Sequence, residues 1–401
     1  MYNHPGYRIN ERVAEIAEED LKGLRLIKSF NKTLRKVCRR KRHQRLGTSP
    51  QQQRQQWEYL SLYLYGLLNP VVHSLRALCE LSQSGPAQER LDISAFKRST
   101  FSEMQYLVEP ALLEEVFQEL AGQVQNQQPV RPGQVPWRIA DSSVFNVLPR
   151  LGWAYFQRHH DKPQCAIRLH VSMDLLSDVP IAAKITTAKV GERTVWKKLW
   201  EPGAGEVGDR NYSQDYGLLR LLERRGAWFI LRLREKQTQV SVSEELPLSA
   251  ADEAAGVTRQ VWGHLGKSER TRSPRVRVIW IHTADGSPLM LVTNQSPEQM
   301  PAELVSQTYR HRWQVELFFR WLKCILRCRH FLAESPRGVA IQLYLALIGA
   351  VLLQLHLGQR PSLRMWEALQ FYFLGIFTQK DLAAAILREK SRIAAKAVKK
   401  S

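Results

Sequence analysis

The apolar residues of this chain change their spacing once, and that change limits the folds open to it. Over residues 1–130 they recur at helical intervals, most clearly across 57–81 and 104–120, with breaks at Pro50, Gly85-Pro86 and Pro110. A Gln-rich passage over 122–132, closing with Pro129 and Pro132, has the composition of a linker. Beyond it come short β-rich runs: 137–141, 166–173, 180–188 and 205–209 read as strands, 216–225 as a helix and 227–234 as a strand. Strands in a ladder followed by strands alternating with helices predict an α/β fold with a mixed sheet. A β-rich insertion is expected over 235–294, with strands at 275–282 and 289–293. A helix at 309–323, a strongly apolar helical region to 357 and a basic helical tail complete the chain. The expected division is a helical N-terminal domain (1–130), a first part of the sheet core (131–234), the insertion (235–294), a second part of the core (295–350) and a C-terminal helical segment (351–401).

Charge narrows the class of partner. The 401 residues carry 58 Lys and Arg against 38 Asp and Glu, a formal charge of +20, which favours a polyanion because each neutralised phosphate releases a counterion. Nucleic acid leads, and an anionic membrane surface trails. Residues 21–45 hold eleven Lys or Arg and no acid, including the run Arg39, Arg40, Lys41, Arg42, and a second basic run spans 388–400. Two readings of the first run stay open: a helix gripping DNA, or a solvated arm adding nonspecific affinity. The most apolar stretch, 343–353, has eleven residues, whereas a membrane span needs about 20. A core helix is expected there, with no membrane partner. The N-terminus lacks the apolar region of a signal peptide, and the five cysteines are odd in number and scattered, so a reducing cytosol is expected. Cys324 and Cys328 stand one helical turn apart without a second Cys or His pair at ligand spacing, and are expected to be thiols.

The stretch 309–323 sets one carboxylate among cations and a phenol. On a single helix Tyr309, Arg312, Glu316, Arg320 and Lys323 would fall within an arc of roughly 80°, opposite the apolar Val315, Leu317, Phe318, Trp321, Leu322 and Ile325. Two further acids stand out by position. Asp141 is expected to end a strand and precedes Ser142-Ser143; Asp209 is expected to end another and precedes Arg210-Asn211-Tyr212. Strand ends of an α/β sheet are where ligand-binding groups project. Taken singly, such an Asp is often a turn residue and such a Glu an ion pair on a helix surface. Taken together, three carboxylates could hold two divalent ions about 3.5–4 Å apart, the arrangement that phosphodiester chemistry uses. Mg²⁺ suits them because it is hard and prefers carboxylates, water and phosphate; Mn²⁺ is a possible substitute.

The spacing Tyr309-x2-Arg312-x3-Glu316-x6-Lys323 resembles the Y-R-E-K signature of insertion-sequence-4 family transposases, members of the DDE superfamily with a ribonuclease-H-like catalytic core. Asp141 in D-S-S and Asp209 in D-R-N-Y add to the likeness, the latter similar to the family's D-R-G-Y, with Asn211 where glycine is usual. The resemblance covers about 137–330. It implies that Asp141, Asp209 and Glu316 are the catalytic triad and ligands of two Mg²⁺ or Mn²⁺ ions. Tyr309, Arg312, Lys323 and Arg320 would then contact phosphates of the element ends, and Arg39, Arg40, Lys41 and Arg42 would bind DNA. It further implies cut-and-paste transfer through hairpinned ends, double-stranded DNA with terminal inverted repeats and target DNA as partners, a homodimer on DNA, and a place in the bacterial cytosol at the nucleoid. Two rival functions remain: a catalytically silent DNA-binding descendant, and a ribonuclease-H-like nuclease without strand transfer. In the insertion, Trp262 and Trp280 could each stack on a flipped base or simply pack.

Overall fold

The computed structural model describes residues 23–40, 49–127, 135–148, 151–159, 162–268, 272–283, 286–324, 331–374 and 376–398. Lys41, Arg42, Ile325 and Cys328 lie outside them, and the side chain of Cys324 is likewise not described.

Six helices come first among the described residues: α1 (Gly23–Arg40), α2 (Pro50–Leu68), α3 (Leu75–Gln83), α4 (Gly85–Leu91), α5 (Arg98–Leu107) and α6 (Pro110–Gln125). The prolines that punctuate the sequence start helices: Pro50, Pro86 and Pro110 each sit in a first turn, where the missing N–H has no helical acceptor to lose. Ser49 and Ser74 cap α2 and α3 by accepting the amides of Gln52 and Ala77.

The sheet then forms from β1 (Trp137–Val147), β2 (Tyr155–His159), β3 (Lys162–Asp174), β4 (Val179–Thr187), β5 (Gly205–Gly208) and β6 (Trp228–Arg232), with α7 (Glu192–Leu199) before β5 and α8 (Tyr216–Arg224) before β6. β4 and β1 pair antiparallel with β3, and β5 and β6 run parallel to β1. The resulting order β4-β3-β1-β5-β6 is the expected ribonuclease-H-like mixed sheet. The β-rich insertion continues it: β7 (Val240–Leu246), β8 (Val257–Leu265), β9 (Val276–His282) and β10 (Pro288–Thr293) form an antiparallel meander with the short helix α9 (Ala250–Ala254) between β7 and β8, and β10 pairs with β6 to extend one sheet to ten strands. Arg277 of β9, fully buried, donates twice to Gln260 Oε1 (3.1 and 2.7 Å) and once to the Met300 carbonyl (2.6 Å), fastening the meander to the chain that leads into the next helix.

Two expectations need correction. Asp141 does not end β1; the strand runs six residues further, because Asp141 to Val147 keep pairing with β3. Nor is 309–323 one helix. It divides into α10 (Ala302–Arg310) and α11 (Trp313–Cys324), joined by a tight turn at His311-Arg312. The amides of Arg312 and Gln314 reach the carbonyls three residues back, at 3.0 and 2.9 Å, so the α-helical ladder is interrupted there.

α12 (Pro336–Leu357) is long and apolar enough to cross a membrane by length and composition, but 89% of its most apolar window is buried inside the protein. It is the core helix: the Tyr63 hydroxyl of α2 donates to Gln342 at 2.7 Å, and the Tyr344 hydroxyl donates to the Ala183 carbonyl of β4 at 3.3 Å. One apolar core thereby joins the N-terminal helices to the sheet. α13 (Leu363–Phe373) and α14 (Gln379–Val398) close the chain as a helical hairpin.

Candidate active site

The parallel pairing of β1 and β5 sets the position of two acids. The ladder aligns Trp137 with Gly205 and Ile139 with Val207, then ends. Two residues further on each chain stand Asp141 and Asp209, so the same register brings them side by side. Gly205 permits the close approach, since any Cβ there would overlap the Trp137 ring. Each aspartate is held by its own segment. Asp141 Oδ1 accepts the amide of Ser142 and Asp209 Oδ1 that of Asn211, both at 2.8 Å.

Burial pushes the Asp141 carboxyl up to about 7; Asp209 and Glu192 add to the rise, while the Ser142 amide and Arg312 oppose it. Asp209 is raised as well, first by burial and then by Glu192. Buried carboxylates crowded together disfavour their charged forms, and a cation among them would restore those forms.

Arg312 is the hub. Its Nη2 donates to Glu316 Oε1 at 2.7 Å, its Nη1 lies 4.0 Å from Asp141 Oδ2, and its guanidinium stands 5.8 Å from the ring centroid of Tyr309. It also lowers the Asp209 carboxyl electrostatically. The turn between α10 and α11 puts Arg312 there, and Glu316 follows in the first turn of α11, where a carboxylate meets the positive end of the helix dipole. Tyr309, at the end of α10, is 7% exposed, and burial raises its hydroxyl. Val315, Phe318, Trp321 and Leu322 are buried as expected and seat α11 against the core.

Asp141, Asp209, Glu316, Arg312 and Tyr309 therefore come together. Lys323 lies two turns along α11, its ammonium 4.8 Å from the ring centroid of Phe145 on β1, and Arg320 is exposed on the same helix. Arg39 is exposed at the end of α1, and Arg40 pairs with Glu119 of α6 at 2.7 Å. Trp262 and Trp280 are half-buried, each with an arginine over its ring: Arg275 at 5.1 Å and Arg259 at 5.0 Å. Asn211 adopts a right-handed conformation (φ −73°), so the glycine expected there answers no backbone requirement in this chain.

One acid escaped the sequence reading. Glu192 opens α7, accepts from the Ser142 hydroxyl at 2.5 Å and the Asn211 amide group at 2.6 Å, and forms an ion pair with Arg168 at 3.1 Å. An acid after Gly191 at a helix start was its only signal, and such acids are common.

The donors suit a hard divalent ion, being carboxylate oxygens with few other partners. Among the described residues no three acids, histidines or cysteines are gathered closely enough to enclose one. Arg312 occupies the space between Asp141 and Glu316.

Residues 136–352, more than half the chain, match the family model of the transposase DDE domain. A putative transposase of Sinorhizobium fredii is 29% identical over 286 residues, covering 68% of this chain and 76% of the relative. A probable transposase for an insertion sequence element of Geobacillus stearothermophilus is 27% identical over 221 residues, covering 55% and 56%. A solved piggyBac transposase synaptic complex with hairpin DNA overlays with a TM-score of 0.45 at 10% identity, covering 97% of this chain and 84% of that one. With the family match spanning the whole sheet and both acid-bearing strands, the chain belongs to the DDE transposases, enzymes that cleave and transfer DNA strands.

Proposed function

We propose that the chain is the transposase of an insertion sequence of the insertion-sequence-4 type, and that Asp141, Asp209 and Glu316 are its catalytic carboxylates. The observation that carries this reading is the convergence on Arg312 of Glu316 and Asp141, with Asp209 set beside Asp141 by the β1–β5 register. Two Mg²⁺ or Mn²⁺ ions bound by these acids would activate the attacking oxygen and neutralise the leaving one, first for water at the element ends and then for the freed 3′-hydroxyl.

The residues around the acids have separable work. Arg312 is ion-paired with both Glu316 and Asp141. A phosphate brought alongside would compete for the same guanidinium and release both carboxylates. Tyr309 packs beneath Arg312 and limits where it can swing. Lys323 and Arg320 extend the cationic side of α11 along which the end duplex would lie, and Arg39 and Arg40 offer a second basic face on α1. Joining two ends requires two active sites, so a homodimer on DNA is the working assembly, acting in the reducing cytosol at the nucleoid with terminal inverted repeats and target DNA as substrates.

Asp209→Asn is expected to leave binding of an end-containing duplex near the wild-type level and to abolish Mg²⁺-dependent nicking of it. Undiminished nicking would refute the ligand assignment. The same assay separates the rivals: a silent descendant binds without nicking, and a nuclease nicks without joining the freed 3′ end to a target.

A further inference from the structure

We infer that Glu192 is a positioning residue that fixes the separation of Asp141 and Asp209 by tying together the two segments that carry them. The inference rests on the reading of those aspartates as metal ligands.

The β1–β5 ladder stops at Ile139 and Val207, two residues short of both acids. Their spacing at the reacting end of the sheet therefore has no main-chain bond between the two strands to define it. Glu192 supplies the link. Its Oε1 accepts from the Ser142 hydroxyl at 2.5 Å and its Oε2 from the Asn211 side-chain amide at 2.6 Å. Ser142 and Asn211 are the same two residues whose backbone amides hold Asp141 and Asp209. Each therefore grips its aspartate through the main chain and Glu192 through the side chain.

Glu192 is itself anchored. Arg168 of β3 forms an ion pair with Oε1 at 3.1 Å, and Arg168 pairs in register with Val144 of β1 and Thr186 of β4. Both carboxylate oxygens are thus engaged by protein donors, which suits a brace better than a metal ligand. The Asn211 arm also depends on this chain's own residue, since a glycine at that position has no side chain to donate.

The test is a Mn²⁺ titration of the full-length protein followed by electron paramagnetic resonance, with the Mn²⁺ concentration for half-maximal nicking as a second readout. Glu192→Ala is expected to weaken Mn²⁺ binding about tenfold, in the range found when the partners of metal ligands are removed. Asn211→Gly, which keeps every charge and cuts one arm, is expected to give a smaller loss. The double variant should be no worse than Glu192→Ala alone, because both changes act through one link. Should Glu192→Ala fail to fold, Asn211→Gly decides the matter alone. Wild-type affinity in Asn211→Gly, or additive losses in the double variant, would overturn the brace. A wild-type protein that binds no Mn²⁺ would overturn the ligand reading as well, whereas binding lost in Asp209→Asn but intact in Asn211→Gly would overturn the brace only.

Discussion

Glu206 shows what a buried carboxyl costs when nothing compensates it. It lies on β5 with 1% exposure, accepts the Trp196 indole N–H at 3.0 Å through Oε2, and has no partner for Oε1. Burial raises its carboxyl to about 8, only partly opposed by the Trp196 bond and Arg138. The folded chain therefore keeps a proton that the unfolded chain has already released, and the stabilisation this gives is complete below the ordinary carboxylate range and fades as pH rises through about 8. Glu206→Gln, neutral at every pH and able to keep the Trp196 contact, is expected to melt at the wild-type temperature near about pH 4 and progressively above it toward about pH 9. Thermal scans across that range check it; parallel curves would mean that Glu206 ionises without penalty. At this scale the sequence was a good guide where an acid had a local signature. Asp141, Asp209 and Glu316 each sat beside a recognisable neighbour pattern, and Arg312 and Tyr309 joined them. Glu192 had only its place at a helix start, because its meaning comes from Ser142 and Asn211, 50 and 19 residues away.

Among the elements, β5 does more than its four residues suggest, since its parallel pairing on β1 sets two acids at once. Gly205 is paired directly with Trp137 and lies under its indole. Gly205→Ala is expected to push that ring aside and to destabilise the fold by about 1–3 kcal/mol, the usual cost of overpacking. Chemical denaturation measures the loss, and metal-dependent nicking should fall further than stability alone accounts for, because the displaced Trp137 starts the strand that carries Asp141. β1, β3, β4, β5, β6, β9 and β10 were legible as short runs, but β2 was not, and neither were the strand lengths. Asp141 looked like a strand end because the polar Ser142-Ser143 follows it, whereas pairing with β3 carries β1 on to Val147. The interruption at His311-Arg312 was hidden for a related reason: 309–323 taken alone fits one amphipathic helix, whereas Val305 and Tyr309, buried on α10, fall on the side that carries the polar residues of α11. Spacing reports which residues share a face; it does not report whether one ladder or two supports them.

At the scale of the molecule, the Gln-rich passage over 122–132 suggested a boundary, yet the apolar core runs across it. α12 is sheathed on one side by the N-terminal helices and on the other by the sheet. Leu64 and Leu68 of α2 pack over Gly349, Tyr63 bonds to Gln342, Lys184 of β4 pairs with Glu114 of α6 at 2.5 Å, and Arg337 pairs with Glu109. Composition could mark a polar connection but could not reveal that a helix more than 200 residues later would fill the space beside it. The consequence is testable. Removing residues 1–130 would strip one side of a helix whose apolar window is 89% buried and leave a large apolar strip facing water. The fragment 131–401 is therefore expected to elute from a sizing column as aggregate and to melt without a cooperative transition, while the full chain gives a discrete species under the same salt. A fragment that stays discrete and melts cooperatively would mean that the sheet, α12 and the C-terminal hairpin suffice as a folding unit. Should it aggregate as expected, the N-terminal helices cannot be a freely swinging DNA-binding module: any DNA held by Arg39 on α1 would be held at a fixed position relative to Asp141, Asp209 and Glu316, with α12 as the rigid link between them.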